Sequence, residues 1–240
     1  MLDEMPPPTA TVPFLTDDTS DLGVRVAFFS RRGGVSAAPY DTLNLSMAVG
    51  DDPVAVTENL QRVTRSAGFK ADSIALLHQV HGAQVLEAGP GACGVIGAGD
   101  AVTTEELEVT VGVLTADCVP VLLAGRKAVA AVHAGWRGVV GGVIEAAVAH
   151  LGEVRAAWIG PSIHACCYEV GPEVVAAFRD RELPADVDRV DPARAAQVIL
   201  RRSGVERVWF SDVCTSCDPA YYSFRRDGET GRQGAFIAWL

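Results

Sequence analysis

The sequence predicts an α/β fold: a single domain with two β-sheets flanked by helices. Three observations lead there. "EVTVGVLTADC", "VPVLLAG" and "KAVAAVHAG" are apolar runs that read as buried strands. Amphipathic segments with caps at their ends alternate with such runs, as sheets covered by helices require. No internal repeat or low-complexity linker divides the 240 residues. With 49% hydrophobic and 21% charged residues, the chain has the composition of a soluble globular protein long enough to bury its own core.

Residues 1–20 are expected to form a flexible N-terminal arm, and 21–240 the folded domain. "GVRVAFFS" (23–30) is β-branched and aromatic and reads as a strand. "RRGGVSAAPYDTLNLS" (31–46) is a long loop without periodicity, a common place for function. "DDPVAVTENLQRVTRSAGF" reads as a helix capped by Asp51 or Asp52, with Pro53 in its first turn and a Val56, Leu60, Val63 stripe. "SIALLHQVHGAQVLEA" is strand-like around two histidines, and "GPGACGVIGAGDA" is a glycine-rich link. "VVGGVIEAAVAHLG" reads as one helix closed by Gly152. "VRAAWIGP", "VERVWFS" and "GAFIAWL" are strands; "GPEVVAAFRD" and "DPARAAQVILRRSG" are helices opened by proline.

The formal net charge of −10 argues against non-specific nucleic-acid or anionic-membrane binding. A phosphate-bearing substrate would need a local basic pocket. "MLDEMPPPTATVPFLTDDTSD" lacks the basic and apolar regions of an export signal, and Asp117, Arg126 and His133 interrupt the long apolar stretches. A cytoplasmic protein, monomer or homodimer, is expected. Six cysteines then read as reduced thiols. Cys166 and Cys167 are adjacent and unlikely to bridge each other. Cys214 and Cys217 have C-x-x-C spacing, with no second such pair to complete a four-cysteine zinc site.

Cys118 and His133 bracket two apolar runs. They suit a nucleophile with its base, two ligands of a metal, or two core residues. A hairpin turning at Gly125–Arg126 places them opposite each other, and Pro120 suggests an edge or bulge there. Of the remaining histidines, His81, just before Gly82 in "HQVHG", is the best third partner. His78 points to the other face of the same strand-like segment, and His150 lies late in a helix, at the surface. His81, Cys118 and His133 would make a Cys-His₂ set with a free fourth position, the pattern of a catalytic zinc. Zinc so held brings the pKa of bound water to about 7.

"QVHG" (79–82), "TADCVPVLL" (115–123), "AVHAGWRG" (131–138) and "IGPSIHACCYEVG" (159–171) resemble the bacterial laccase-domain family, also described as YfiH-like or peptidoglycan-editing-factor proteins. "RRGGVSAAPYDTLNLS" and "CTSC…YYSFRRD…TGRQGAFI" fit the same pattern, so the likeness runs from about Phe28 to the C-terminus. The resemblance implies a fold similar to the catalytic domain of cytotoxic necrotizing factor toxins. It implies zinc on His81, Cys118 and His133. It also implies phosphorolysis of adenosine, inosine, guanosine and methylthioadenosine, with adenosine deamination as a second activity.

Several residues suit that chemistry. Asp117 and Glu169 are candidate proton relays for attack at the purine. Arg32, Ser36 and Arg137 are candidate phosphate contacts. Asn44 could hydrogen-bond ribose or base, Trp136 could stack on a base, and Cys166 could reach the pocket. Copper competes for a His₂Cys site in the affinity order. A multicopper laccase, however, needs a histidine-rich trinuclear cluster that five histidines without a His-x-His pair do not supply. The competing readings are a cysteine hydrolase or amidase acting on peptidoglycan precursors, with Cys118 as nucleophile and His133 as base, a copper-loaded polyphenol oxidase, and a binding module with structural zinc.

Overall fold

The computed structural model describes residues 12–17 and 19–240. The strands are β1 (Phe14–Leu15), β2 (Val24–Phe29), β3 (Ile74–His78), β4 (Val85–Glu87), β5 (Gly94–Ala98), β6 (Ala101–Thr104), β7 (Thr110–Thr115), β8 (Val119–Gly125), β9 (Val129–Ala134), β10 (Val154–Ile159), β11 (Val208–Phe210) and β12 (Gln233–Trp239). The helices are α1 (Pro53–Ala67), α2 (Trp136–Gly141), α3 (Val143–Leu151), α4 (Pro172–Asp180), α5 (Pro192–Arg202) and α6 (Phe224–Asp227). They build one α/β domain around two mixed sheets, of strand order β1-β2-β12-β7-β3-β5 and β11-β10-β8-β9-β6-β4.

The two sheets pack face to face. Val26, Phe28, Val111 and Ile237 of the first meet Leu122, Val129, Ala131 and Trp158 of the second. Helices α2 to α5 cover the far side of the second sheet, where Val121, Leu123 and Val132 meet Ile144, Phe178 and Ile199. Helix α1 and the 31–46 loop cover the far side of the first, on Phe29, Phe236 and Leu43. Each fully buried Leu, Ile or Phe contributes about 1.5–3 kcal/mol. This burial is what fixes the strand ends where the site lies.

Asp52 caps α1: its carboxylate accepts from Val54 N, and Gly68 closes the helix in the left-handed region (φ 67°). Asp51 serves the loop instead, accepting from Asn44. The strand-like segment around the histidines divides into β3 and β4, which belong to different sheets. The glycine-rich link that follows contains the partly exposed edge strand β5 and leads into β6. The expected single helix at 139–152 is two, because Gly142 takes φ 86° between α2 and α3. Pro120 is not on an edge. It stands second in the central strand β8, where a missing N–H near a strand start costs little.

Part of the arm expected at 1–20 is docked. Phe14 and Leu15 pair with Phe29 and Phe28, and Val12 is buried. Residues 1–11 and 18 of that expectation lie outside the described residues.

Candidate metal centre and active site

Strand alternation sets the site. Along β9, Val129 and Ala131 face the core between the sheets, and His133 follows them on that face. Leu122 and Ala124 of β8 face the same way, and so does Cys118, just before the strand. The β8–β9 turn runs over Arg126–Lys127, with Gly125 N bonded to Ala128 O, rather than over Gly125–Arg126. Every pair therefore moves by two: Pro120 faces His133 and Val119 faces Ala134. This corrects the expected Cys118–His133 pairing. A two-residue shift preserves the face, so the thiol and the imidazole still meet, on the diagonal.

His81 arrives from the other sheet. After β3 ends at His78, the chain turns through His81 in the left-handed region (φ 60°). Gln79 fastens the turn to β7 through both its amide atoms and Leu114. Asp117, at φ 92°, is the second such residue at the site; the described residues contain only four non-glycine positions with positive φ. Strained backbone of this kind gathers where function over-determines a geometry.

One carboxylate places both histidines. Asp100 is fully buried. It accepts from the backbone N of His81 at 2.9 Å and of Gly82 at 2.7 Å, and from His133 Nδ1 at 2.8 Å. Burial alone would raise its pKa. The bonds from His133, Gly82 and His81 outweigh burial and keep it ionised below the usual carboxylate range. With Nδ1 so engaged, His133 presents Nε2 to the site.

Cys118 Sγ lies 3.9 Å from His81 Nε2, and the two imidazoles meet edge to face at 4.8 Å. One ligand atom from each of His81, Cys118 and His133 falls within 4.8 Å of the others. Burial pushes the Cys118 thiol up, but the two histidines more than offset this and bring it down to about 6. Gly135 stands opposite Cys118. A Cβ there would come within 2.8 Å of His81 and 3.2 Å of Cys118 Sγ. These features fit a metal: two imidazoles and a thiolate, a buried carboxylate orienting a ligand from behind, and a glycine leaving room. No fourth ligand joins the cluster among the described residues.

The other expected residues separate. Asp117 is buried and both its oxygens are taken, one by Thr215 Oγ1 at 2.7 Å and one by Arg225 N at 2.7 Å. It anchors α6 beside the site. Glu169 is exposed and faces Arg189 at 3.8 Å. Ser36 is buried, its hydroxyl bonded by Asn59. Asn44 is fully buried. It donates to Ser46 O and Asp51 and accepts from the backbone N of Ser46 and Arg232, leaving nothing for a ligand. The Asn44 amide is thus filled by the 31–46 loop and Arg232 rather than by a ligand, and Ser36 is tied to the same loop through Asn59. Arg32 is exposed on that loop. Trp136 packs on the helical core with the Arg137 guanidinium 4.4 Å above its ring. The Arg137 side chain is exposed and its guanidinium makes no hydrogen bond to the described residues. Cys166 belongs to a different cluster, with Cys167, Cys214 and Cys217.

Four residues at the site had no role assigned from sequence: Asp100, Tyr168, Arg225 and Arg232. Burial raises the Tyr168 phenol to about 12, with the Cys118 charge adding and Arg225 and Arg137 opposing. Arg225 sits 5.0 Å over the Tyr168 ring and donates to Glu169 O. Arg232 is half-buried. Burial holds its pKa below the usual value, against the pull of Cys118 and Asp117. Arg137, Arg225 and Arg232 thus share one electrostatic neighbourhood with the thiolate. The signal for Arg225 and Arg232 in the sequence was the run "SFRRDGETGRQ", and for Asp100 a lone carboxylate opening an apolar strand.

A single-domain two-sheet α/β scaffold defines a class of protein, and this fold is shared with known structures. The family described as multi-copper polyphenol oxidoreductase laccase matches residues 25–240, and the chain belongs to it. Its curated relatives carry the name purine nucleoside phosphorylase. The one from Deinococcus radiodurans is 41% identical over 233 residues, 90% of each chain. Escherichia coli YfiH is 38% identical over 232 residues, covering 91% of this chain and 94% of its own. A Neisseria meningitidis protein has the same fold at a TM-score of 0.85 and 36% identity, over 95% of this chain and 98% of that one. YlmD from Geobacillus stearothermophilus superposes at 0.83 with 30% identity, over 90% and 92%.

Proposed function

We propose that the chain is a zinc-dependent purine nucleoside phosphorylase, cleaving adenosine, inosine, guanosine and methylthioadenosine to base and ribose 1-phosphate, with adenosine deamination as a second activity. The observation that carries this reading is the His81, Cys118, His133 cluster oriented by Asp100 and faced by arginines, in a chain whose relatives bear that name. Zinc, held by those three residues, would supply a Lewis acid in a partly dry site.

The chain's own residues do the rest. Arg137, with its donors free, is the first candidate to bind phosphate. Arg225 and Arg232 add positive potential, which an otherwise acidic protein needs for an anion. An oxygen of hydrogen phosphate attacks the anomeric carbon, the glycosidic bond breaks, and the base leaves with the proton that the phosphate gives up. Tyr168 keeps its proton at neutral pH and so acts as a hydrogen-bond donor to the leaving base. Phe224, an exposed ring beside the Asp117-anchored turn, offers a face for stacking. Asp117 and Glu169 are the candidate relays for deamination, which otherwise rests on the triad and the resemblance.

Copper in the same three ligands remains compatible with the donor set. Among the described residues, the clusters able to hold a metal are this triad and a group of four cysteines. Neither is a histidine-rich trinuclear site. The low thiol pKa of Cys118 also suits a nucleophile in metal-free protein, the amidase reading. Rapid alkylation of Cys118 in metal-replete protein would favour that reading; protection until chelation favours a ligand. No helix among the described residues is long and apolar enough to cross a membrane. A cytoplasmic monomer or homodimer acting on small molecules, not nucleic acid or membranes, completes the proposal.

The test follows products from zinc-loaded protein with adenosine and inosine, with and without phosphate. Base release is expected only with phosphate, and inosine from adenosine reports deamination. No phosphate-dependent base release, with metal bound, would overturn the proposal.

A further inference from the structure

The two cysteine pairs, about fifty residues apart in sequence, converge. Strands β10 and β11 run parallel, and a further bridge pairs Ser162 with Cys214. Thr215 N bonds to Ser162 O, and Ser162 N to Val213 O. The tight turns that follow, over 164–167 and 214–217, therefore leave the sheet side by side. One carries Cys166 and Cys167, the other Cys214 and Cys217. The sulfurs of Cys167 and Cys217 are 3.2 Å apart and those of Cys166 and Cys217 3.6 Å, and all four lie within 4.8 Å of one another. Tetrahedral zinc with Zn–S bonds of about 2.3 Å needs thiolates roughly 3.8 Å apart. The four sulfurs bracket that spacing.

We propose that Cys166, Cys167, Cys214 and Cys217 form a second metal site, a tetrathiolate for zinc, separate from the His81, Cys118, His133 cluster. Four cysteine ligands close the coordination sphere, so the site is structural. Its surroundings are built for the charge that four thiolates and one dication carry. Arg226 donates to the carbonyls of Thr215 and Ser216. Arg189 donates to those of Ala165 and Cys166. One guanidinium thus backs each turn. Cys166 and Cys217 are exposed, which gives an ion a way in.

The site would clamp one wall of the active centre. Tyr168 follows directly on Cys167. Thr215, between the two C-x-x-C cysteines, is the residue that bonds Asp117. The inference stands apart from the nucleoside reading, because it needs no substrate.

The experiment is zinc stoichiometry on reduced, full-length protein, combined with mass mapping of alkylated thiols. The wild type should bind two zinc ions per chain. His81→Ala/His133→Ala and Cys214→Ser/Cys217→Ser should each bind one. In the wild type, Cys166, Cys167, Cys214 and Cys217 should resist alkylation until a chelator is added, while exposed Cys93 reacts at once. Cobalt alone, added to the His81/His133 variant, should give thiolate-to-metal charge-transfer bands. Stoichiometry and alkylation need only the wild type, so a variant that fails to fold does not blunt the test. One zinc per chain with these four thiols freely alkylated would overturn the proposal. So would a disulfide among them that leaves, after reduction, no second zinc site.

Discussion

Asp100 decides whether His81 and His133 point at the same place. Its carboxylate binds the backbone of one and the ring of the other. Asp100→Asn keeps the shape but can no longer accept every proton offered, and it removes the charge that fixes the His133 tautomer. Metal affinity at the triad should fall by about 10–100-fold, read by competition with a chelator; unchanged affinity would deny Asp100 that part. Gly135→Ala should also weaken metal binding while leaving the thermal transition of the metal-free protein nearly in place, since its Cβ meets His81 and Cys118 rather than core. Arg137→Ala should raise KM for phosphate well above any change in KM for the nucleoside. Equal effects on both would point to a general loss of the site. Of these residues, His81, Cys118, His133 and Arg137 could be picked out in the sequence by type and motif. Asp100 could not, because a lone Asp before a strand looks like a turn residue until the two histidines converge on it.

The 31–46 loop shows how an irregular element is held. Asn59 on α1 is fully buried, accepts from Val35 N, and donates to Ser36 Oγ, Thr42 O and Asn44 O. Gly34 lies against it; a Cβ there would sit 2.2 Å from Thr42 O. Asn59→Ala would strand several buried groups and should cost roughly 2–3 kcal/mol, measured as a lower urea midpoint with an unchanged slope. A loss below about 0.5 kcal/mol would mean that water replaces the amide. The loop's length was visible in the sequence, but its role was not: Ser36 and Asn44 look like ligand contacts until Asn59 is seen behind them. The β8–β9 hairpin is a parallel case. Its alternation was readable, and alternation put Cys118 and His133 on one face. Its register was not, because choosing between Gly125–Arg126 and Arg126–Lys127 as the turn moves every pair by two without changing the face.

Across the whole molecule, the triad joins the two sheets: His81 comes from the end of β3, while Cys118 and His133 come from β8 and β9. Metal there should stabilise the entire domain. At a free concentration a hundredfold above Kd, binding adds about 2.7 kcal/mol. For a chain of this size that is roughly 5–10 °C of Tm, lost on chelation and restored by zinc. A Tm indifferent to chelator would place the metal outside the fold's stability. The fold class was readable from strand and helix periodicity. The four-cysteine cluster was not, since only the parallel pairing of β10 with β11 brings the adjacent pair to the C-x-x-C turn. The central claim is that this triad is a metal centre working on nucleosides. The measurement that tests it most directly is the rate of ribose 1-phosphate formation as zinc is returned to chelator-treated protein. The rate should rise with occupancy of His81, Cys118 and His133, and Cys118→Ala should stay inactive at every zinc concentration. A rate independent of zinc, or an active Cys118→Ala, would contradict it.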